Sequence, residues 1–283
     1  MLKQILDDSA APPSRVATGL IVGVLGLGLL VAEAAMLSLQ GGRAAALPLL
    51  AILLAATASS IAGFAFSALC GALLFHLMES PVYAVQVMIV CSIAIQLFCV
   101  TAIWRSIDWR SLPPFLAGGI LGVPVGAYLL LHLPGGAYRT VIGVLLIAYG
   151  SYLLLRWPVR QLRTGPLADV CIGFLGGFTG GLAGFPGAAV TIWCGLKGWD
   201  KARQRGVYQP FILCMQPVSL VAIGLTQPTS AGTAQLDFRT LLFVPAALLG
   251  AWFGVRIFKG LSDRQFDLAV NTLLVMSGIG LIL

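Results

Sequence analysis

Long apolar segments separated by short polar stretches account for most of the chain. A transmembrane helix needs about 20 consecutive apolar residues, and many of these segments have roughly that length. They cover residues 16–39, 82–104, 112–131, 138–155, 207–226, 241–258 and 266–283. Two further segments, 47–77 and 168–196, are about thirty residues long and are interrupted near their middles. The pattern predicts an all-α integral membrane protein.

Glycine and proline interrupt the second long segment. Seven of the fifteen residues from Gly173 to Gly187 are glycine, and Pro186 lies among them. Glycine weakens a helix and proline removes a backbone donor, so we expect the helix to break within 179–187. The first long segment has a similar interruption at 59–64, with fewer glycines. The alternative is a continuous, kinked helix whose small residues allow tight packing.

The second half of the chain repeats the first. Glycine and polar positions recur in the same order, which chance produces less readily than matches between leucines. The matched pairs are Ile61–Phe64 with Leu182–Phe185, Gln86 with Gln209, Cys91 with Cys214, Ile107–Leu112 with Leu236–Leu241, Gly122 with Gly250, Gly126 with Gly254, and Gly150 with Gly278. The segment 16–39 has no counterpart and is an addition to the repeat.

The positions of Lys and Arg distinguish two topologies. If each long segment crosses the membrane once, the seventeen positive residues divide ten to seven between the two sides. If each enters and leaves on one face as a re-entrant hairpin, they divide fourteen to three, with Arg43, Arg139 and Arg239 on the poorer side. Cytoplasmic loops are enriched in Lys and Arg, which favours the hairpins. Each repeat then has a broken, re-entrant helical hairpin plus three transmembrane helices, and the two repeats have inverted topology.

This topology predicts four parts of the chain. Residues 1–46 form a cytoplasmic N-terminus and the extra N-terminal transmembrane helix, and 47–156 form the first repeat. Residues 157–167 form a cytoplasmic linker, and 168–283 form the second repeat. We expect a multi-pass protein of the inner (cytoplasmic) membrane with its C-terminus outside, and a homodimer is left open.

The composition agrees with a membrane protein and argues against a soluble domain or a nucleic-acid-binding protein. Of the residues, 59% are hydrophobic and 10% charged, whereas soluble domains have about 25% charged residues. The net charge of +7 comes from basic residues scattered between apolar segments, which does not indicate a nucleic-acid partner. The six cysteines lie inside apolar segments without a Cys-x-x-Cys pair, so we expect buried thiols and neither a metal site nor another cofactor.

Inverted repeats with helices broken at the midplane are a common design of secondary transporters. The broken helices expose half-helix N-termini, which favour an anion. We therefore expect substrate binding by Ser59, Ser60, Gly63, Phe64 and Ser67 in the first half, and by Thr179, Gly180, Gly181, Gly184, Phe185 and Gly187 in the second. Gln86, Gln209 and Gln216 are expected to join them, because an amide binds an oxyanion without a buried charge. For each glutamine, a hydrogen bond between helices is the alternative role.

Three carboxylates need separate consideration. Glu33 lies well inside an apolar segment and is a candidate for proton coupling; the alternatives are that it pairs or reaches the interface. Asp108 and Asp237 each precede an apolar segment, and we expect them to cap the next helix rather than to form ion pairs. The motifs GxxxxGK[ST], HExxH and GxSxG do not occur, so no catalytic residue is expected.

The chain resembles the TauE/SafE sulfite exporter family, also called the 4-toluene sulfonate uptake permeases, from about residue 47 to the end. The resemblance lies in the break Gly177–Gly187, in the steps Ile107–Arg110 and Leu236–Arg239, and in the Gly-x-x-x-Gly pairs Gly122/Gly126 and Gly250/Gly254. The serine-containing first break and the extra N-terminal helix depart from the family pattern. The resemblance implies proton-coupled transport of small anions such as sulfite, sulfonates and sulfoacetate.

The sequence therefore predicts a proton-coupled secondary transporter for small sulfur-containing or organic anions, with the anion held at the midplane between the two hairpin tips. The expected partners are the anionic substrate, protons and the lipid bilayer. The alternatives are an anion channel that uses the same site and a non-transporting membrane scaffold or enzyme subunit.

Overall fold

A computed structural model describes residues 43–59, 66–155, 164–226 and 238–257, with a few single positions elsewhere. In this part of the chain the fold consists of helices and short turns without a strand, which confirms the all-helical prediction. The chain divides into two compact units, Met1–Ala46 and Leu47–Leu283. The predicted extra helix at 16–39 lies outside the described residues, and the predicted division into repeats stays a prediction.

The described helices follow the predicted apolar segments. They are α1 (Arg43–Ser59), α2 (Phe66–Leu77), α3 (Pro81–Ile103), α4 (Leu112–His132), α5 (Gly135–Leu155), α6 (Pro166–Ala183), α7 (Gly187–Leu196), α8 (Lys201–Thr226) and α9 (Val244–Ile257), with 3₁₀ turns at Trp104–Ser106 and Phe238–Phe243. Among the described residues, four helical stretches are long and apolar enough to cross a membrane: Pro81–Thr101, Leu112–His132, Pro166–Ala183 and Ala202–Thr226. The molecule is a multi-pass membrane protein.

The start of α8 differs from the sequence prediction. The helix begins at Lys201, six residues before the predicted position 207. Asp200 Oδ1 accepts hydrogen bonds from the N–H groups of Ala202 and Arg203, at 2.9 Å each. This cap stabilises a polar first turn that hydropathy alone does not recognise.

The cysteines are not all buried. Cys70, Cys91 and Cys194 are buried as expected, whereas Cys171 and Cys214 are exposed. The expectation is wrong for these two because the outer surface of a membrane helix faces lipid, where a small apolar thiol is as acceptable as in the core.

The backbones of α4 and α6 lie in direct contact. A Cβ atom added to Gly122 would overlap the carbonyl oxygen of Phe174, and one added to Gly177 would overlap that of Gly119. The facing pairs are Phe115 with Gly173, Gly119 with Gly177, and Val123 with Gly181. Because the pairs advance together by four residues, the two helices run parallel. Small residues on both faces allow this close approach.

The register places the end of α6 inside the length of α4. Two residues beyond the pair of Val123 and Gly181, the same register places Ala183 opposite Val125. Val125 lies seven residues before the end of α4 at His132. At the helical rise of about 1.5 Å per residue, α6 ends roughly 10 Å short of the end of α4. The break after Ala183 therefore lies within the thickness that α4 spans.

Helix α7 folds back along α6. Near the beginning of α6, Asp169 accepts a hydrogen bond from Trp193 Nε1 at 2.7 Å. The same carboxylate lies 2.6 Å from Lys197 Nζ, at the end of α7. The outer ends of α6 and α7 therefore lie together, as in a re-entrant hairpin. The placement of this hairpin in a membrane stays a prediction.

Two helix contacts follow the predicted repeat. Gly122 of α4 contacts the carbonyl group of Phe174 in α6, and Gly250 of α9 contacts that of Leu53 in α1. The repeat pairs Gly122 with Gly250, and the register of its two broken segments pairs Leu53 with Phe174. Equivalent residues thus make equivalent contacts, which supports the inverted repeat, itself still a prediction.

Gly177→Ala should destabilise the protein, because the added methyl group must push α6 away from α4. Overpacking of this kind costs about 1–3 kcal/mol. Gly195→Ala in α7 is the matched control, since nothing lies within 4 Å of its added Cβ and alanine has the better helix propensity. Thermal unfolding in detergent compares the two variants. Equal melting temperatures would contradict the close contact.

Candidate functional site

The break between α6 and α7 comprises Gly184, Phe185 and Pro186. Gly184 ends α6 in the left-handed conformation, with φ 64° and ψ 23°, which favours glycine. Its N–H donates to Gly180 O at 2.8 Å, and the N–H of Phe185 donates to Thr179 O at 3.2 Å. The break occurs inside the predicted stretch, and glycine is required where it begins.

Thr179 closes the break from within. Its hydroxyl lies 2.9 Å from the carbonyl oxygen of Phe185, beyond the break, and 3.1 Å from those of Leu175 and Gly176 in its own helix. One hydroxyl proton serves one acceptor at a time. When it is donated to Phe185, it satisfies a carbonyl group for which hydrocarbon has no partner.

Neighbouring helices hold the broken segment. Tyr138 of α5 donates its hydroxyl proton to Leu182 O at 3.0 Å. The rings of Tyr149 and Phe185 meet edge to face, with centroids 5.3 Å apart. Ile89 of α3 lies against the turn itself. The break is thus buried in protein, the setting in which a membrane protein tolerates one.

Helix α7 begins at this break. Gly187 and Ala188 in its first turn are buried, and Pro186 precedes them. The first N–H groups of a helix have no acceptor within it, and they carry the positive end of its dipole. This attraction for an anion is modest, so further groups are needed to make a binding site.

Four buried glutamines lie on α3 and α8, which pack against each other, and three of them are predicted site residues. Gln86 is 8% exposed, Gln209 4% and Gln216 0%. Oε1 of Gln209 and both amide atoms of Gln216 have no hydrogen-bond partner among the described residues. An unsatisfied buried polar group costs about 1–3 kcal/mol. Within the described residues, no hydrogen bond between helices accounts for Gln216, and its role in binding stays a prediction.

Other predicted residues surround a cavity of about 390 Å³ between α2, α5 and the α6–α7 pair. Ser67, Thr179 and Phe185 line it together with mostly apolar side chains such as Phe75 and Leu146. The three glutamines are not among the described residues that line this cavity. The predicted site thus divides into an apolar part and an amide part, on different helices around the break.

The remaining predicted residues are placed as follows. Ser59 is buried, and its hydroxyl donates to the carbonyl group of the residue three positions earlier, at 3.2 Å. Gly181 packs against the backbone of α4, Gly180 lies against Pro186, and Gly187 begins α7. Outside the described residues lie Ser60, Gly63, Phe64 and Glu33. Proton coupling by Glu33 and substrate binding by the other residues stay predictions.

Sequence reasoning missed Asp169 as a functional candidate. This carboxylate is 7% exposed in the first turn of α6, where it contacts Trp193 and Lys197. The available signal was a single acidic residue in an apolar segment that contains Trp193 and is followed at once by Lys197. Only the fold-back of α7 shows that the three side chains meet.

The Asp169 cluster continues into α8 and α4. Lys197 Nζ and the Arg203 guanidinium lie 5.0 and 4.2 Å from the ring centroid of Trp199. Arg203 Nε donates to Asp108 Oδ2 at 3.0 Å, while Asp108 Oδ1 accepts from the N–H of Ser111 at 3.1 Å. Asp108 therefore closes the turn before α4 but does not cap the helix as predicted, since the N-cap residue is Ser111 and has no side-chain cap. Against the expectation from the sequence, Asp108 also forms an ion pair, with Arg203. The pairing arises because α8 begins early enough to bring Arg203 alongside.

Hydrogen bonding sets the ionisation of Asp108. Burial pushes the pKa of its carboxyl group up, but the hydrogen bonds from Ser111 and Arg203 and the charge of Arg203 outweigh burial, so that the pKa is lowered. The folded protein thus favours the charged carboxylate at this position.

The comparison with known families gives one match. Residues 47–281 match the family model described as Sulfite exporter TauE/SafE. Neither a curated protein nor a solved structure matches the chain. The matched range includes both interrupted segments and the helices that carry the three glutamines.

Thr179→Val should destabilise the protein by about 1 kcal/mol, because the carbonyl group of Phe185 loses its donor in a buried setting. Thr140→Val is the control, since its hydroxyl only donates back to Gly136 O on an exposed helix surface. Melting temperatures of both variants and of Thr179→Ser, which keeps the hydroxyl, test the expectation. An equal effect of the two valine variants would show that Thr179 does not close the break.

Asp108→Asn should lower stability at neutral pH but not in acid. Because the folded pKa is lowered, the stabilisation is complete above the unfolded pKa of about 3.9 and is lost as the pH falls through the folded value. For a partly exposed pair we expect about 0.5–1 kcal/mol. Unfolding of wild type and variant is compared at neutral pH and in strong acid. A difference that persists undiminished in acid would contradict the assignment.

Proposed function

Given that the chain belongs to the TauE/SafE sulfite exporter family, we propose that it is a secondary transporter that moves small sulfur-containing or organic anions together with protons. Family membership and the apolar helices make it a multi-pass membrane transporter of anions. The substrate class extends from sulfite to sulfonates and sulfoacetate-like anions. The protein belongs to the inner membrane, with a cytoplasmic N-terminus and an external C-terminus.

Gln216 carries the proposal. It is fully buried, and neither atom of its amide has a partner among the described residues. Gln209 lies seven residues earlier, two turns away on the same face of α8, and its Oε1 is also unsatisfied. Amide N–H groups donate to sulfonate or sulfite oxygens, and amide oxygens accept from water bound to the anion or from a hydroxyl of a protonated anion.

The anion is held near the middle of the membrane. The break lies inside the length of α4, and the first turn of α7 offers free N–H groups there. A full positive charge at this depth would be costly, whereas helix dipoles and amides are neutral overall. Neutral donors hold the anion weakly enough to release it, which suits a carrier.

Accumulation distinguishes a coupled transporter from a channel. Purified protein in liposomes is supplied with labelled thiosulfate, with and without an imposed pH gradient. A proton-coupled transporter accumulates the anion above its external concentration when the gradient is present. A channel would only equalise the two concentrations, and a scaffold would give no flux above protein-free liposomes.

Gln216→Leu should reduce thiosulfate uptake at least about tenfold while leaving the melting temperature unchanged or raised, because an unsatisfied amide is replaced by an apolar side chain. Thr226→Val is the matched control in the same helix. It removes a satisfied hydroxyl, which donates to Ala222 O at 2.7 Å, and should leave uptake intact. If Gln216→Leu lowers stability but retains uptake, the amide serves helix packing alone.

A further inference from the structure

A threonine of α7 lacks the hydrogen bond that other helical threonines make. Thr57, Thr140 and Thr226 each donate to the carbonyl oxygen four residues earlier, at 2.7, 3.1 and 2.7 Å. The hydroxyl oxygen of Thr191 is buried and has no hydrogen-bond partner among the described residues. Buried polar groups are normally hydrogen-bonded, because leaving one unsatisfied is costly. A ligand that accepts from the Thr191 hydroxyl would explain its position.

Thr191 and Gln216 lie at similar depths below the break. A Cβ atom added to Gly180 would lie 3.0 Å from Pro186 Cβ and 3.5 Å from Ser219 Oγ, so α7 and α8 both reach α6 at this level. From here α7 runs to the base of the hairpin, where α6 begins and α7 ends, and α8 starts near that base. Thr191 is five residues from Pro186, and Gln216 is three residues from Ser219. At 1.5 Å per residue, the two side chains start roughly 8 and 5 Å below the level of Gly180.

The two side chains also lie on the helix faces that join α7 to α8. Cys194 of α7 and Ile212 of α8 belong to one buried apolar cluster. Thr191 is three residues from Cys194, and Gln216 is four residues from Ile212, and such spacings place residues on the same helix face. A hydroxyl group and an amide group therefore adjoin this cluster, and neither has a partner among the described residues.

Helix α3 adds a second amide at the same depth. A Cβ atom added to Gly206 near the start of α8 would overlap the carbonyl oxygen of Ser106, just past the end of α3. Gln96 lies ten residues before Ser106, and Gln216 lies ten residues after Gly206. Since α3 runs toward this contact and α8 runs away from it, the two glutamines reach the same height. Gln96 is 3% exposed and lies two turns from Ile89, on the face of α3 that meets the break.

We propose that Thr191 and Gln96 join Gln216 in binding the oxyanion group of the substrate, just below the break. The inference rests on the proposed function and adds two residues to its site. A sulfite, sulfonate or thiosulfate group has several oxygens, which accept from one hydroxyl and two amides together. Thr191 is one turn beyond Gly187 on the same face, so the free N–H groups of α7 adjoin the same anion. All these donors are uncharged, which avoids the cost of a full charge at this depth.

Thiosulfate uptake by the full-length protein in liposomes tests Thr191. Thr191→Val keeps the shape of the side chain and removes the donor. It should raise the half-saturation concentration at least about tenfold, because a hydrogen bond to a charged group is lost. The melting temperature should stay unchanged or rise, since none of the described protein groups loses a partner. Thr191→Ser keeps the hydroxyl and should transport like wild type.

Thr101→Val is the matched control for this substitution. The exposed hydroxyl of Thr101 donates to Phe98 O at 2.9 Å within its own helix, and its removal should leave the half-saturation concentration unchanged. An unchanged half-saturation concentration in Thr191→Val would overturn the proposal. An equal rise in Thr191→Val and Thr191→Ser would also overturn it, because the side chain would then act through packing.

Cysteine labelling tests whether the anion reaches Gln96. In a cysteine-free protein, Gln96→Cys is compared with Phe98→Cys, which replaces a 68% exposed residue on the outer surface of the same helix. An anionic, membrane-impermeant methanethiosulfonate reagent is added on both sides of the membrane. Thiols react as thiolates, which water stabilises and hydrocarbon does not. Gln96→Cys should therefore react, with methanesulfonate slowing the reaction, and Phe98→Cys should not.

The outcomes distinguish this inference from the proposed function. If wild type takes up thiosulfate but Gln96→Cys is unreactive, or methanesulfonate does not protect it, the three side chains do not form one site and the transporter stands. The same holds if Thr191→Val transports like wild type. If wild type takes up no thiosulfate, the proposed function is wrong and this inference falls with it.

Discussion

In a lipid bilayer, a helix can break only where protein groups satisfy the backbone atoms that the break exposes. Three contacts meet this requirement: Gly184 N–H with Gly180 O, the Thr179 hydroxyl with Phe185 O, and the Tyr138 hydroxyl with Leu182 O. The glycine contact between α4 and α6 fixes the broken segment within the bundle. The site that we propose, which combines the N-terminus of α7 with the amides of α8, depends on the stability of this break.

The described part of the protein separates neutral donors from full charges. Unsatisfied amides lie on α8 inside the bundle, whereas Asp169, Lys197, Arg203 and Asp108 form a connected cluster at the base of the hairpin. A buried charge becomes more costly with depth in the membrane, so the separation of neutral amides from charged side chains follows from their solvation. In the proposed transporter, the neutral donors bind the anion at a depth where a salt bridge would hold it too firmly.

Local signals in the sequence predict local features. Hydropathy places α4 within one residue of its ends, and glycine with proline predicts the break because both residues act on their own backbone. The pairing of Asp169 with Lys197 across 28 residues depends on the fold-back of α7, which no local pattern contains. Gly181 illustrates a different limit. The sequence predicts that a substrate approaches Gly181 closely, but the backbone of α4 lies where its side chain would be. A glycine allows a substrate and a neighbouring backbone to approach equally closely, so the sequence does not distinguish them.

The sidedness of the hairpin tests the central claim most directly. Single cysteines replace the exposed Thr164, Ala202 and Arg139 in a cysteine-free protein, and a membrane-impermeant maleimide is added to vesicles of known orientation. A re-entrant hairpin predicts that Thr164→Cys and Ala202→Cys react from one side and Arg139→Cys from the other. Reaction of Thr164→Cys and Ala202→Cys from opposite sides would mean that α6 and α7 cross the membrane once, which would contradict a binding site at the hairpin tip.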